Sequence, residues 1–257
     1  MATQIATTRA IQLHQSGQGL HTAKMDGSKH TLQLLGVGLY SLQETARLLG
    51  ASPASVRRWI GGYDYIHGES VRNVPPLWNM DLPTFDDQFV ISFRDLIELR
   101  FVKAFISKGI GLKAVRNCMN YARQCVESDR PFTTGRFRTD GQTIFLESLE
   151  TSGDPKLLDL KVKQYVFRQI VERSFKDLDL EGDLVARWRP YRGRQTIVLD
   201  PQRAFGQPIA EATGVPTVVL AESVKAEGSI ARVAAIFEVD KAVVQDAVRF
   251  QVELMAA

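Results

Sequence analysis

Apolar positions recur with a helical period over most of the chain, and that period begins abruptly at Tyr40. Before it, residues 1–35 are polar, rich in Gln, Thr, Ser and Gly, and keep no period, which reads as a mobile tail. Ser41 and Glu44 then form an S-x-x-E capping box that opens a short helix, with Leu42, Ala46 and Leu49 on its inner face. Gly50-Ala51-Ser52 predicts a tight turn. Ser52 caps a second helix, and Pro53 takes its first position, where the missing N–H costs nothing. That helix runs to about Ile60 and ends at Gly61-Gly62. Two short helices joined by a short glycine-containing turn form a helix-turn-helix unit.

From Gly62 to Phe89 the chain reads as a long connection containing proline, aspartate and aromatic residues. The next helix, Phe93 to Lys108, is apolar nearly all round and is therefore expected to be buried. Gly109-Ile110-Gly111 breaks it, and another helix follows from Leu112 to about Val126. Past Pro131 the texture changes. Arg136 to Leu146 alternates around Asp140-Gly141, a strong hairpin signal. A helix is expected from about Lys161 to Phe175, then a strand Leu184–Arg189, a turn at Pro190–Gly193 and a strand Ile197–Leu199. Beyond Pro201 the pattern supports two further helices, one capped by Ser229 and one by Asp240.

Composition adds bounds. The 257 residues are 44% hydrophobic and 24% charged, the balance of an ordinary globular protein. No run of about 18 apolar residues predicts a membrane span, and the N-terminus lacks the basic start and apolar block of a secretory signal. A cytoplasmic location is expected. The two cysteines, Cys118 and Cys125, stand two turns apart on one helix, too far for a disulfide. The net charge of +3 permits nucleic-acid binding without demanding it. Its distribution is more informative: residues 201–257 hold five Lys/Arg against seven Asp/Glu, so the remainder carries +5. The C-terminal piece is the poorer phosphate surface.

The second helix of the first unit reads Pro53-Ala54-Ser55-Val56-Arg57-Arg58-Trp59-Ile60. In helix-turn-helix units this helix enters the major groove. Val56 and Ile60 lie one turn apart and should face the core, leaving Ser55, Arg57 and Arg58 for base edges and phosphates. No carboxylate lies between Ser52 and Tyr63 to repel a phosphate backbone. The candidate DNA-binding residues are Ser52, Ser55, Arg57, Arg58 and Trp59. The alternative is a helical pair used only for packing, its arginines merely solvated.

These residues resemble a family. Tyr40-Ser41-Leu42, Leu49-Gly50-Ala51-Ser52 and Val56-Arg57-Arg58-Trp59 are similar to the opening of MerR-type regulators. Ser92-Phe93-Arg94-Asp95-Leu96 and Gly109-Ile110-Gly111-Leu112 resemble the third and fourth helices of that domain, in order. The resemblance implies that Arg57 lies near the phosphates and that an aromatic residue is usual where Trp59 stands. Two features depart from it. Phe89 and Ile91 occupy places where the family's wing carries an Arg and a Tyr, and Pro131 follows where a long dimerising helix would run. A metal-sensing cysteine loop is also not matched by Cys118 and Cys125. A second resemblance covers about 195–254: Ile197-Val198-Leu199-Asp200-Pro201, Phe205-Gly206-Gln207-Pro208-Ile209, Gly214-Val215-Pro216-Thr217 and Glu227-Gly228-Ser229-Ile230 look like a small domain of VapB-type antitoxins.

Together these imply a mainly α fold. A tail (1–35) would precede a MerR-like winged helix-turn-helix domain (36–130), a small α+β middle region (131–196) and a C-terminal helical, helix-turn-helix-like antitoxin domain (197–257). The implied function is that of an antitoxin in a type II toxin–antitoxin pair. It would bind operator double-stranded DNA, as a homodimer, and neutralise a PIN-like ribonuclease toxin. Arg187, Arg189, Arg192 and Arg194, interleaved with Trp188 and Tyr191, are the candidate toxin-binding residues, because guanidinium forks pair carboxylates. The same run could grip nucleic acid or be a solvated hairpin. The alternatives at the level of function are a MerR-like regulator with a ligand- or partner-sensing C-terminal half, and an interaction protein that does not touch DNA. No phosphate loop, nucleophile elbow or metal-ligand spacing occurs, so neither catalysis nor a cofactor is expected.

Overall fold

The computed structural model describes residues 36–86, 88–152 and 164–256. The segment 1–35, with His14, His21 and His30, and the start of the helix expected from Lys161 lie outside them. Strand β1 (Tyr40–Ser41) leads into α1 (Leu42–Leu49) through the expected box: the Glu44 N–H donates to Ser41 Oγ at 3.2 Å, and the Ser41 N–H donates to Glu44 Oε2 at 2.8 Å. Gly50 closes α1 in the left-handed region, at φ 57°. Helix α2 (Pro53–Gly61) starts on Ser52, whose Oγ accepts from the Ser55 N–H at 3.1 Å. Then comes a hairpin, β2 (Tyr63–His67) against β3 (Ser70–Val74), and β4 (Val90–Ile91), which pairs antiparallel with β1. Helices α3 (Phe93–Ser107) and α4 (Leu112–Val126) follow, then a 3-10 turn at Pro131–Thr133 and α5 (Gly135–Thr151).

Beyond α6 (Gln164–Phe175), four antiparallel strands form a sheet in chain order: β5 (Leu178–Glu181), β6 (Leu184–Trp188), β7 (Ile197–Leu199) and β8 (Pro208–Ala210). Three helices close the described chain: α7 (Thr217–Glu227), α8 (Ile230–Ile236) and α9 (Lys241–Ala256). The architecture is mainly helical with small sheets.

A single apolar cluster runs from Tyr40 to Leu199 and crosses the junction at Pro131 without a break. Its centre is phenylalanine. Phe145 and Phe105 both stack on the Phe167 ring, at 4.0 Å and 4.9 Å between centroids, and Phe101, Phe132, Phe137 and Phe175 pack around them. Offset aromatic contacts of this kind add to the large apolar area each ring removes from water. The C-terminal helices have a smaller core of Leu220, Val233, Val244 and Ala247 with Ala210.

One buried polar cluster sits within this apolar mass. Arg130 donates from Nε to Asp95 Oδ1 at 2.9 Å, and from one Nη to Asp81 Oδ1 at 2.6 Å and the Asn79 carbonyl at 2.7 Å. Trp78 Nε1 donates to the same Asp95 oxygen at 2.7 Å, and Asp95 Oδ2 accepts from the Asp81 N–H at 3.1 Å. A buried charge must be paired and hydrogen-bonded in this way to be tolerated.

Three expectations need correction. The hairpin expected around Asp140-Gly141 is the interior of α5. Thr134 caps that helix, its Oγ accepting from the Phe137 N–H at 3.1 Å, and Phe137, Gly141, Ile144, Phe145, Ser148 and Leu149 are buried at helical spacing. A Cβ at Gly141 would stand 3.3 Å from the Phe137 ring, so the glycine serves close packing rather than a turn. The connection expected between Gly62 and Phe89 contains the β2–β3 hairpin. The segment after Pro201 holds three helices rather than two, because α7 starts directly after Pro216 on a Thr-Val-Val run that carries little helical signal.

Glu98, fully buried in α3, accepts the Thr133 N–H on Oε1 at 3.2 Å, while Oε2 has no hydrogen-bond partner among the described residues. Burial above all pushes its pKa from 4.5 up to about 8, against the opposing pull of Arg130. A carboxyl that is protonated when folded and ionised when unfolded contributes stability that is complete below pH 4.5 and is lost as pH rises toward 8. Glu98→Gln, neutral at every pH, should therefore raise Tm at about pH 8 and lose that advantage toward pH 4.5. Thermal unfolding of both proteins across this range reads the difference; parallel Tm curves would refute it.

Candidate nucleic-acid interface

Val56, Trp59 and Ile60 turn α2 against the core, and the helix shows its other side to solvent. On that side Arg57 and Arg58 are exposed, Ser52 is exposed and Ser55 half-buried, with the two serine Oγ atoms 2.8 Å apart. Trp59 is the exception among the candidate DNA-binding residues. It is only 7% exposed, and its carbonyl accepts the Leu77 N–H at 2.9 Å, so it positions the helix and does not face outward. An indole in the core spends its area on packing.

The hairpin begins immediately after α2, and Gly62 makes that possible. Its φ is 72°, and a Cβ there would fall 2.4 Å from the Val74 carbonyl. Register pairs Tyr63 with Val74, Tyr65 with Arg72 and His67 with Ser70 on one side of the ribbon. On the other side Asp64 pairs with Asn73 and Ile66 with Val71. The first side is the one turned to α2: the Arg58 guanidinium lies over the Tyr63 ring at 4.2 Å, and Tyr63 and Tyr65 are 6.3 Å apart. The Arg57 guanidinium lies 5.3 Å from the Phe89 ring centroid.

Helix and ribbon thus present Arg57, Arg58 and Arg72, two serine hydroxyls and Tyr65 on adjoining faces. Guanidinium groups held over aromatic rings keep their donors free for phosphate oxygens or guanine edges. The sequence reading missed Tyr65, His67 and Arg72. A signal was present in the alternation of Tyr63-Asp64-Tyr65-Ile66 and Val71-Arg72-Asn73-Val74 about Gly68, but both strands are solvated and no apolar face marks them.

The described residues contain no group of three His, Cys, Asp or Glu side chains placed to hold a metal ion. No helix among them is long and apolar enough to cross a membrane. Cys118 is free and buried, and burial pushes its thiol pKa up; Cys125 is free and half-buried.

The four arginines proposed for toxin contact do not form one outward surface. Arg187 lies 3.4 Å from Asp179, on the neighbouring strand. Arg189 has a side chain only 8% exposed and is bound by Glu211 at 2.6 Å and Asp179 at 2.8 Å. These bonds raise the Arg189 pKa, Glu211 contributing most, and Arg189 in turn lowers that of Glu211. Arg192 pairs with Glu253, and Arg194 with the buried Asp246, which also accepts from Thr196 Oγ at 2.8 Å. Glu253 and Asp246 belong to α9, so the run staples the sheet to the C-terminal helices. Arg192 and Arg194 remain mostly exposed.

No family model matches the chain. A Mycobacterium tuberculosis (strain ATCC 25618 / H37Rv) protein named "Putative antitoxin VapB45" is 27% identical over 191 residues, which cover 70% of this chain and 79% of that protein. The X-ray crystal structure of Rv2018 from Mycobacterium tuberculosis superposes with a TM-score of 0.66 at 24% identity, covering 83% of this chain and 98% of that one. The second likeness is one of fold.

The ion pairs differ in what their loss should do. Arg189→Ala leaves Asp179 and Glu211 facing each other across a half-buried gap and should cost roughly 1–3 kcal/mol, less than a fully buried pair. Arg192→Ala, on an exposed pair, should stay within about 0.5 kcal/mol. Urea titrations of the two variants would separate them; equal midpoints would show that Arg189 is not a structural tie.

Proposed function

We propose that this chain is an antitoxin, a regulatory and non-enzymatic protein that binds its own operator DNA and neutralises a cognate toxin of the PIN-like ribonuclease kind. The observation that carries the DNA half is the pairing of α2 with the ribbon behind it. Arg57, Arg58 and Arg72 are all exposed, the Arg57 and Arg58 guanidinium groups lie over the Phe89 and Tyr63 rings, and no carboxylate interrupts α2. Two short helices, a hairpin and two longer helices also follow each other in the order that the MerR resemblance implies. The toxin half rests on the 27% likeness to a protein named as an antitoxin, over most of both chains.

A single helix reads few base pairs, so the protein acts on an inverted repeat as a homodimer. It works in the cytoplasm, where operator and toxin are. Of the arginine run, Arg192 and Arg194 keep exposed guanidinium groups and are the members open to a carboxylate-lined nuclease. Arg189, spent on Asp179 and Glu211, is not.

Arg57→Ala with Arg58→Ala should abolish operator binding and leave the circular dichroism spectrum and the inhibition of toxin ribonuclease activity unchanged. Each arginine that reads a base should account for roughly 1–3 kcal/mol. Gel-shift titration on DNA from upstream of the gene is the measurement. An unaltered shift would move DNA binding off α2, and absence of inhibition by the wild-type chain would refute the antitoxin reading.

A further inference from the structure

Many arginines of this chain are spent within it. Arg100, Arg130 and Arg189 hold carboxylates, and Arg116 and Arg203 hold backbone carbonyls. Arg138 of α5, Arg173 in the last turn of α6 and Lys176 just beyond it are different. All three are exposed, and among the described residues their charged groups make no hydrogen bond or ion pair. Yet they line one cleft of about 440 Å³, together with Glu172, Phe175 and Leu178. Phe175 and Leu178 are 3% and 6% exposed and give the cleft an apolar floor. Glu172 accepts from Arg168 Nε at 2.8 Å, so its charge is already answered from its own helix.

Three full positive charges around one hollow repel one another, and the C-terminal end of α6 offsets only about half a charge. An anion between them removes that repulsion, and a floor that excludes water strengthens each contact. Two guanidinium forks from different helices, with an ammonium beside them, suit phosphate oxygens. The surroundings limit the size of the ligand. Asp140 and Asp183 line the next hollow, on the other flank of Arg138, so the positive potential stays in one place. A nucleic-acid backbone needs a basic groove that tracks it, whereas this volume falls within the about 300–1,000 Å³ of small-molecule sites. We propose that the cleft between α5 and α6 binds the phosphate groups of a small ligand of nucleotide size. It is separate from α2 and the ribbon, none of whose residues line it. Its walls also carry rings of the central core, Phe137 and Phe145 on α5 and Phe167 on α6, so a bound ligand ties two core helices together and stabilises the fold.

The test uses the full-length chain at low salt, with inorganic pyrophosphate and ATP as probes, read by titration calorimetry and by thermal unfolding. Both probes should bind saturably and raise Tm. Arg138→Gln with Arg173→Gln should weaken them by about tenfold or more. Without ligand that variant should unfold no lower than wild type, because it loses repulsion and no partner. Lys108→Gln with Lys241→Gln removes the same charge from exposed positions elsewhere and should leave binding unchanged. Absence of saturable binding to wild type would overturn the proposal. So would equal losses in the two variants, or equal affinity for citrate, either of which would reduce the effect to diffuse attraction of anions. Displacement of pyrophosphate by a DNA duplex of unrelated sequence would make a nucleic-acid backbone the occupant, and the small-ligand site would fall.

Discussion

The Arg130 guanidinium is the tie on which the placement of α2 and the β2–β3 ribbon depends. It fastens three pieces of chain at once: the end of the α4 segment, through Arg130 itself; the first turn of α3, through Asp95; and the 77–81 strap, through Asp81 and the Asn79 carbonyl. That strap descends from the ribbon. Its Leu77 N–H meets the Trp59 carbonyl, and Arg116 of α4 holds the Pro75 and Pro76 carbonyls at 2.7 Å. The last residue before the strap's prolines is Val74, the end of β3. Ion pair, strap, ribbon and α2 are thus one mechanical sequence, and a buried pair of this kind is costly to leave half-made. The polar cluster fixes orientation; the phenylalanine core supplies the apolar burial.

Much of this was legible in the residues, where the signal was local. Ser41 with Glu44, and Ser52 with Pro53, announce helix starts by chemistry contained within four residues, and both starts stand where expected. The apolar spacing from Phe93 and from Leu112 placed α3 and α4 within a residue. What failed to be legible depends on distant partners. Asp140-Gly141 carries the chemistry of a turn, but the surrounding buried residues and the Thr134 cap decide for a helix. Trp59 has nothing in its own segment to say that Leu77 and the strap will cover it. Arg189 looked like a free cation in a basic run; its carboxylates, Asp179 and Glu211, come from another strand and from beyond β8.

The arginine run and the phenylalanine core divide the work of holding the chain together in different ways. The region from Tyr40 to Leu199 is joined by apolar contact, with helices α3, α5 and α6 sharing the same rings and α4 packed in the same cluster. The three C-terminal helices share a small core with Ala210 of β8 and meet the sheet also through charge, Arg192 to Glu253 and Arg194 to Asp246, and through the Tyr191 and Phe250 rings, 5.9 Å apart. Apolar contact is insensitive to salt, whereas exposed ion pairs are screened by it. The exposed Arg192–Glu253 pair is accordingly the salt-sensitive contact of this junction.

Tyr40 opens β1 just before α1, yet its hydroxyl donates to the carbonyl of Gly206 at 2.7 Å, and the N–H of Leu39 donates to the Phe205 carbonyl. The fit is close, since a Cβ on Gly206 would lie 2.3 Å from that hydroxyl oxygen. The two residues are 166 positions apart. A ribosome adding about 5–20 residues per second needs on the order of ten seconds to cover that separation. For that interval the nascent chain lacks the anchor of its first strand. The packing of β1 and α1 is therefore completed late, after residues 205 and 206 have left the exit tunnel.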